Sequence, residues 1–422
     1  VPADQQPPAD QQPAAGQQPA AGRRLSRRHL LLGGAAAGIG AAGAIGIDLA
    51  GRSGGQAAEP PAEAALTGAA TVPFYGAHQA GIETAPQAHV TYLALDLADQ
   101  TDKAALRRML RILTDDAARL SQGEGALADA EPELAVRPAR LTVTIGVGRR
   151  LVERAGGAAP GWLRPLPAFG VDRLEPAWGG GDLLLQVGSD DPLTVAHATR
   201  MLLKDSRSFG ALRWVQTGFR RASGSEKPGT TMRNLFGQVD GTVNLVPGTP
   251  DFEKLVWGAA DGPGWLAGGT GFVLRRIRMD LDKWDGLDRP GREASVGRTL
   301  TNGAPLTGSR ETDEPDFAAK TAIGFPVIPE FSHLRRARSA DPNERILRRG
   351  YNYNDAPTGG SISNAGLLFA SFQADVDRQF VPIQRRLDEL DLLGEWTTPI
   401  GSAVFAIPPG CAEGGYIGET LV

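Results

Sequence analysis

Imidazole is the side chain that most readily ligates a transition metal or moves a proton near neutral pH, and this chain carries it at five positions: 29, 78, 89, 197 and 333. His197 falls in a helical stretch, Ala196-His197-Ala198, where a solvated or core-edge role is the ordinary one. His89 precedes a strand, with no acidic or cysteine neighbour at ligand spacing. His78 sits in a glycine-punctuated loop, Phe74 to Ile82, without a partner for metal chemistry. His333 differs: the run Phe331-Ser332-His333-Leu334-Arg335-Arg336-Ala337-Arg338 sets it beside three arginines, a setting suited to a ligand that bears carboxylates. On its own the run still reads first as a basic surface turn. A second unusual segment, Asn234 to Asn244, places Asp240 between glycine-bearing turns. Asp-Gly most often marks an Asx turn, but the apolar flanks partly bury this carboxylate, and a buried carboxylate calls for a polar partner or a proton-handling task. The single cysteine, Cys411, excludes an internal disulfide and a cysteine-rich metal cluster, and reads as a small packed residue.

These residues need a scaffold. Val90 to Leu97 is an apolar, β-forming run, and a helical pattern opens at Thr101 with Leu106, Met109, Leu110, Leu113 and Leu120 on one face. Strands follow at Leu141–Val147 and Leu183–Val187, then a helix capped by Asp191 and Pro192 that runs to about Ser206, then a strand at Leu212–Phe219. The order β-α-β-β-α-β is the ferredoxin-like arrangement, with helices on one face of an antiparallel sheet. A weaker echo has strands at Phe272–Met279, Ile346–Tyr353, Leu367–Phe372 and Ala403–Ile407, with helices near Ala294 and between Asp377 and Leu390. The expectation is α+β: two ferredoxin-like halves whose sheets pack together, over residues 66–225 and 226–422, with His333 and Asp240 both in the second.

Bulk properties narrow the partners. Forty-four basic against 48 acidic residues leave a net charge of −4, which gives no electrostatic reason to expect nucleic acid. Residues 1–22 are a low-complexity near-repeat that is expected to be disordered. Residues 23–65 contain Arg27-Arg28 and then an uncharged, Gly/Ala-rich stretch from Leu30 to Ile47. Paired arginines before a mildly hydrophobic run read as a twin-arginine export signal rather than a stable membrane span. The expected location is outside the cytoplasm: extracellular, cell-wall-associated or periplasmic. That route carries folded proteins, commonly with a cofactor already bound.

Gly237-Gln238-Val239-Asp240-Gly241, followed by Thr242 and Asn244, resembles the GxxDG motif of dye-decolourising peroxidases. Phe74–Ile82 is similar to that family's entry loop, Arg275–Met279 with Trp284-Asp285 to its mid-chain block, and Gly303–Gly308 to the next. His333 falls where the proximal ligand is expected, and Ile346–Tyr351 resembles the distal-arginine strand. The likeness runs from about Val72 to Ile407, and the leader points to the exported, deferrochelatase/peroxidase-like class. The Asn-Pro-Arg usual after the histidine is replaced by Ala337-Arg338-Ser339-Ala340.

The resemblance implies a chlorite dismutase-like unit holding one haem b per chain. Hydrogen peroxide is then the oxidant, and dyes, phenols or other one-electron donors are oxidised through a ferryl intermediate. By the same resemblance, His333 is the iron ligand and Asp375, or alternatively Asp377, the carboxylate behind it. Arg335 and Arg338 hold the haem propionates, and Gly241, Thr242 and Val243 line the cofactor. Asp240 is the proton shuttle, and Arg348 stabilises charge on the peroxide oxygens. Arg348 and Arg349 point to opposite faces of a strand, so one only reaches the iron, and the family pattern selects Arg348. The resemblance also implies that electrons reach the haem through a surface tyrosine or tryptophan, for which Tyr351, Tyr353 and Trp396 are the candidates. An oligomer is compatible with all of this. Two rival readings are a haem-handling protein that releases iron from porphyrin and a cofactor-free binding module.

For the leader, replacing Arg27 and Arg28 with lysine is expected to trap precursor in the cytoplasm. Fractionation of cells that express the variant checks this, and unimpaired export overturns the reading.

Overall fold

The computed structural model describes residues 67–258, 262–357 and 359–422. Residues 1–65, which carry the expected low-complexity extension and export signal, lie outside the described residues, and among the described residues no helix is long and apolar enough to cross a membrane. The first half contains β1 (His89–Leu97), α1 (Lys103–Ser121), β2 (Thr142–Val147), α2 (Arg149–Ala155), β3 (Leu183–Ser189), α3 (Pro192–Ser206) and β4 (Gly210–Phe219). Its helices begin where the sequence provides caps. Asp102 accepts the Ala105 amide at 2.8 Å, and Asp191 accepts that of Leu193 at 3.0 Å, with Pro192 at the first helical position. The strands form an antiparallel sheet with neighbours β2, β3, β1, β4.

The second half holds α4 (Pro250–Val256), β5 (Thr270–Met279), α5 (Leu281–Asp285), α6 (Arg289–Val296), α7 (His333–Ala337), β6 (Leu347–Arg348), β7 (Tyr351–Asp355), β8 (Asn364–Gln373), a π-turn (Val376–Phe380), α8 (Val381–Leu390) and β9 (Thr397–Ile407). Its sheet is antiparallel too: β5 lies between β9 and β8, and β8 pairs with both β6 and β7. The two sheets also meet edge to edge, through Val147 opposite Ala406 and Phe219 opposite Asn352, which closes a barrel. Beyond the expected elements there are the short helices α2, α4, α5 and α7, and the strand expected over Ile346–Tyr353 is broken at Arg349-Gly350.

Strand alternation sorts the side chains. From β1, Val90, Tyr92 and Ala94 enter the barrel interior with Phe272, Tyr351, Phe372 and Phe405, while Leu93, Leu95 and Leu97 pack on the helical side with Leu106, Leu110 and Met201. A third apolar cluster, built on Phe236, Met279, Trp284 and Leu367, lies in the second half.

Two expectations change here. Tyr351 and Tyr353 are not surface residues: both are fully buried inside the barrel, and neither hydroxyl has a partner. Arg220 lies 4.8 Å over the Tyr351 ring and Arg276 3.7 Å over that of Tyr353. Burial pushes the Tyr353 phenol up to about 12. A phenol with no proton acceptor and a cation on its ring face resists oxidation. Trp396 is half-buried and meets Trp284 edge to face at 5.2 Å.

Candidate active site

His333 is the first residue of α7, whose N-cap Ser332 holds the chain through its hydroxyl on the Pro329 carbonyl at 2.8 Å. Its Nδ1 lies 2.6 Å from Asp391 Oδ2. A carboxylate there accepts, so the proton sits on Nδ1 and the Nε2 lone pair points away from Asp391. Asp391 is itself held: it follows the last residue of α8, and its Oδ1 caps the next turn by accepting the Leu393 amide at 3.1 Å. The Leu392 amide donates to Phe331 O at 2.9 Å, and Arg336 ties α7 to α8 through Arg386 O at 3.0 Å and Glu389 at 2.8 Å.

This corrects the carboxylate expected behind the histidine. Asp375 instead accepts the Arg378 amide at 2.9 Å at the mouth of the π-turn, and Asp377 pairs with Arg164 at 2.9 Å. Asp375 stands before the helical run and Asp391 after it, which separates them by on the order of 20 Å. The signal for Asp391 was its place one residue beyond the expected end of the helix, where an aspartate caps the next turn.

Asp240 lies in a pinned turn. Asn234 accepts the amides of Phe236 and Gln238 at 3.1 and 3.2 Å and donates through Nδ2 to Asp240 Oδ2 at 3.3 Å, while the Asp240 amide bonds Met232 O at 2.8 Å. Gly241 has φ +124°, a conformation that side chains rarely adopt. The Thr242 hydroxyl is buried without a partner, and Val243 turns its carbonyl to Arg348.

Arg348 sits on a strand two residues long, and Asn244 completes it by behaving as a neighbouring strand would. Its Oδ1 accepts the Arg348 amide and its Nδ2 donates to the Arg348 carbonyl, both at 2.8 Å. The guanidinium donates to Val243 O at 2.9 Å and stands 3.8 Å from Asp240. That gap is too long for a hydrogen bond, so the two charges face each other without a direct bond. Arg349 points the opposite way, is buried, and bonds Gln87 at 2.7 Å and the Thr84 carbonyl.

These groups share one electrostatic neighbourhood. Burial pulls the His333 imidazolium pKa down, the charge and hydrogen bond of Asp391 raise it, and Asp240 raises while Arg348 lowers it; the net direction is up. The imidazole is not packed into the core: 35% of its side-chain surface is accessible.

Arg298, not foreseen from the sequence, is buried and donates to Gly303 O and Glu311 O at 2.6 and 2.9 Å. Burial lowers its pKa, and it feels the cations Arg348 and Arg338 and the anions Glu311 and Glu314. Arg338 pairs with Glu314. Arg335 donates from Nη1 to Phe317 O at 3.1 Å and Ile328 O at 3.3 Å, and so braces that loop. Two other histidines are engaged elsewhere: His197 is buried against Asp129 at 2.8 Å, and His78 stacks on Trp257 at 3.9 Å.

Because Asp391 holds the imidazolium pKa up in the cofactor-free chain, that pair contributes stability at low pH and loses it as pH rises through the raised pKa. Asp391→Asn is expected to lower the His333 titration midpoint, read by NMR of the imidazole protons; an unmoved midpoint removes Asp391 from the role.

Residues 79–220 match the family model for the Dyp-type peroxidase N-terminal region and residues 231–412 that for the C-terminal region. The chain is 38% identical to a dye-decolorizing peroxidase of Thermobifida fusca (strain YX), over 92% of this chain and 96% of that protein. It is 35% identical to the deferrochelatase of Escherichia coli (strain K12), over 83% and 87%. Among solved structures, a DyP-type peroxidase from Cellulomonas bogoriensis superposes with a TM-score of 0.82 at 54% identity, covering 85% of this chain and 99% of that one. The chain belongs to the Dyp-type peroxidase family.

Proposed function

We propose that this protein is a haem peroxidase that uses hydrogen peroxide to oxidise dyes, phenols or other one-electron donors. The observation that carries the reading is the His333 imidazole, tied at Nδ1 to Asp391, in the fields of both Asp240 and Arg348. The donor set fits haem. Among the described residues no three His, Cys, Asp or Glu side chains gather to hold a bare ion, so one outward imidazole nitrogen suits a metal that brings its other ligands with it. Arg298 feels both Arg338 and Arg348, and such a group of cations suits a macrocycle bearing two carboxylates.

His333 Nε2 would ligate the iron, and Asp391, by accepting the Nδ1 proton, makes the imidazole a stronger donor. Arg335 and Arg338 would hold the propionates, with Gly241, Thr242 and Val243 against the ring. When bound, haem supplies the redox chemistry of peroxide cleavage. Asp240 takes a proton from one peroxide oxygen and returns it to the other, a task open to it because it shares no hydrogen bond with Arg348. Arg348, held by Asn244 and the Val243 carbonyl, keeps a fixed positive charge toward the oxygen that gains negative charge. The finer architecture supports the same proposal. Each half has the strand order of a ferredoxin-like unit, and the two family matches fall on either side of residue 225. Export by the twin-arginine route rests on Arg27-Arg28. The deferrochelatase relatives carry the second reading, release of iron from haem.

The test uses protein expressed with haem supply. His333→Ala is expected to lose the Soret band of bound haem. On rapid mixing with peroxide, Asp240→Asn should slow the spectral change by roughly 10²- to 10⁴-fold and remove a carboxylate step from its pH profile. Arg348→Leu should slow it by roughly 10²- to 10³-fold at every pH. Unchanged haem binding in His333→Ala refutes the site, and release of iron-free porphyrin without donor oxidation favours the second reading.

A further inference from the structure

Arg220 stands where the two halves meet, and the chemistry above gives it no task. β4 ends at Phe219, whose partner across the seam is Asn352 of β7. The next two residues are both arginines, and they alternate in direction. Arg221 is exposed and pairs with Glu226 at 2.8 Å. Arg220 turns inward: its guanidinium lies 4.8 Å over the ring of buried Tyr351, and its Nε donates to the Gly350 carbonyl at 2.8 Å. Its own amide donates to the Ala88 carbonyl at 2.7 Å, which fixes the backbone that aims the side chain.

The Gly350 bond bears on Arg348. Along an antiparallel ladder, successive residues turn their peptide groups to opposite edges of a strand. Arg349 gives its amide to the Ala370 carbonyl of β8 at 2.8 Å, so Arg348 and Gly350 present their peptide groups to the other edge. Among the described residues no strand pairs with β6 on that edge. Side chains take its place: Asn244 brackets the Arg348 peptide, and Arg220 takes the Gly350 carbonyl. The stretch that carries Arg348 is thus held at two points of one edge. Charge is a second and independent observation. Burial pulls the Arg220 pKa down and Arg349 adds to that, while Tyr351, Tyr92 and Asp240 push it up; the net direction is down. Asp240 is the carboxylate among them, and it also faces Asn234, Arg348 and His333. Coulomb attraction acts both ways, so the cation that gains from the Asp240 charge also stabilises that charge.

We propose that Arg220 is a positioning residue for the peroxide reaction: through Gly350 it fixes the strand edge from which Arg348 projects, and its charge favours the anionic form of Asp240. The link to peroxide rests on the peroxidase reading; the link between Arg220 and the Asp240 carboxylate does not. Asp240 takes a proton from peroxide only as the anion, so an interior cation within its field extends the reaction to lower pH. Arg220 does this without occupying the Asp240 oxygens, one of which accepts from Asn234 and the other of which faces Arg348.

Two variants separate the two roles. Arg220→Gln removes the charge, and Arg220→Lys keeps the charge but has no Nε donor for Gly350. On rapid mixing of the haem-loaded proteins with peroxide, both are expected to react about tenfold more slowly on the high-pH plateau. Arg220→Gln alone is expected to shift the acid limb of the rate up by about 0.5 to 1 pH unit. The same shift should appear without haem or peroxide, in the Asp240 carboxyl midpoint read by NMR of the aspartate carboxyl carbons in the haem-free chain and assigned by its loss in Asp240→Asn. Parental plateau rates in both variants, a parental acid limb and carboxyl midpoint in Arg220→Gln, or an equal shift in Arg220→Lys each overturn the proposal. A parent that shows no spectral change with peroxide rejects the peroxidase reading alone, and the carboxyl midpoint then decides on Arg220.

Discussion

Most strands of this barrel, β4 excepted, are largely buried on both faces, and the rest of the architecture is a consequence of how those faces are covered. β1, β2 and β3 read as nearly unbroken buried runs, as do β5 and β8. A sheet of that kind needs a layer on each side. The two sheets supply one layer to each other, with Tyr92, Phe272, Phe372 and Phe405 between them. In the first half α1 and α3 cover the opposite face with leucines and methionines. In the second half the covering elements are shorter, among them α7, with only five residues. That thinner cover leaves room for polar chemistry on a face that sheet packing would otherwise fill with hydrocarbon.

Polar groups in such a place must each be held, because an unpaired one is costly. The site meets this with side chains that imitate backbone. Asn244 pairs with the Arg348 peptide as a strand would, Asn234 closes the turn under Asp240, and Asp391 caps a turn with one oxygen while the other holds His333. Each of the three fixes a residue of the proposed chemistry while satisfying main-chain groups that short elements leave open. The barrel sets the sheet; these amides and this carboxylate set the angles.

Much of the first half was legible because its signals are local. Apolar alternation and the caps Asp102 and Asp191 mark strands and helices within a few residues. The second half was legible only in outline, since β6 is held by Asn244, more than a hundred residues earlier, and α7 is stabilised by Arg336 reaching to α8. Period-two alternation says that only one of Arg348 and Arg349 can face the site, and the structure turns the two guanidiniums to opposite faces; that it is Arg348 came from the family pattern. Asp375 was misjudged for the converse reason: which carboxylate reaches His333 depends on where a helix ends and the next turn begins, and that is a tertiary fact. Arg298 carried no local signal at all, being a buried cation explained only by carbonyls and anions from other loops.

The adjacent pair Arg348-Arg349, at the end of β6, serves two compartments, one guanidinium going to the Asp240 side and the other into the protein interior. Strand sidedness depends on counting residues, so the stretch between Leu347 and Gly350 tolerates changes of side chain better than changes of length. Losing or gaining a single residue there exchanges the compartments, placing the interior cation beside Asp240 and sending the other among aromatic rings. The exposed segment from Ser339 to Asn343 has no such constraint, and can shorten or lengthen without altering which arginine faces outward. Insertions and deletions in this part of the chain are therefore expected to be tolerated before the strand begins and excluded within it.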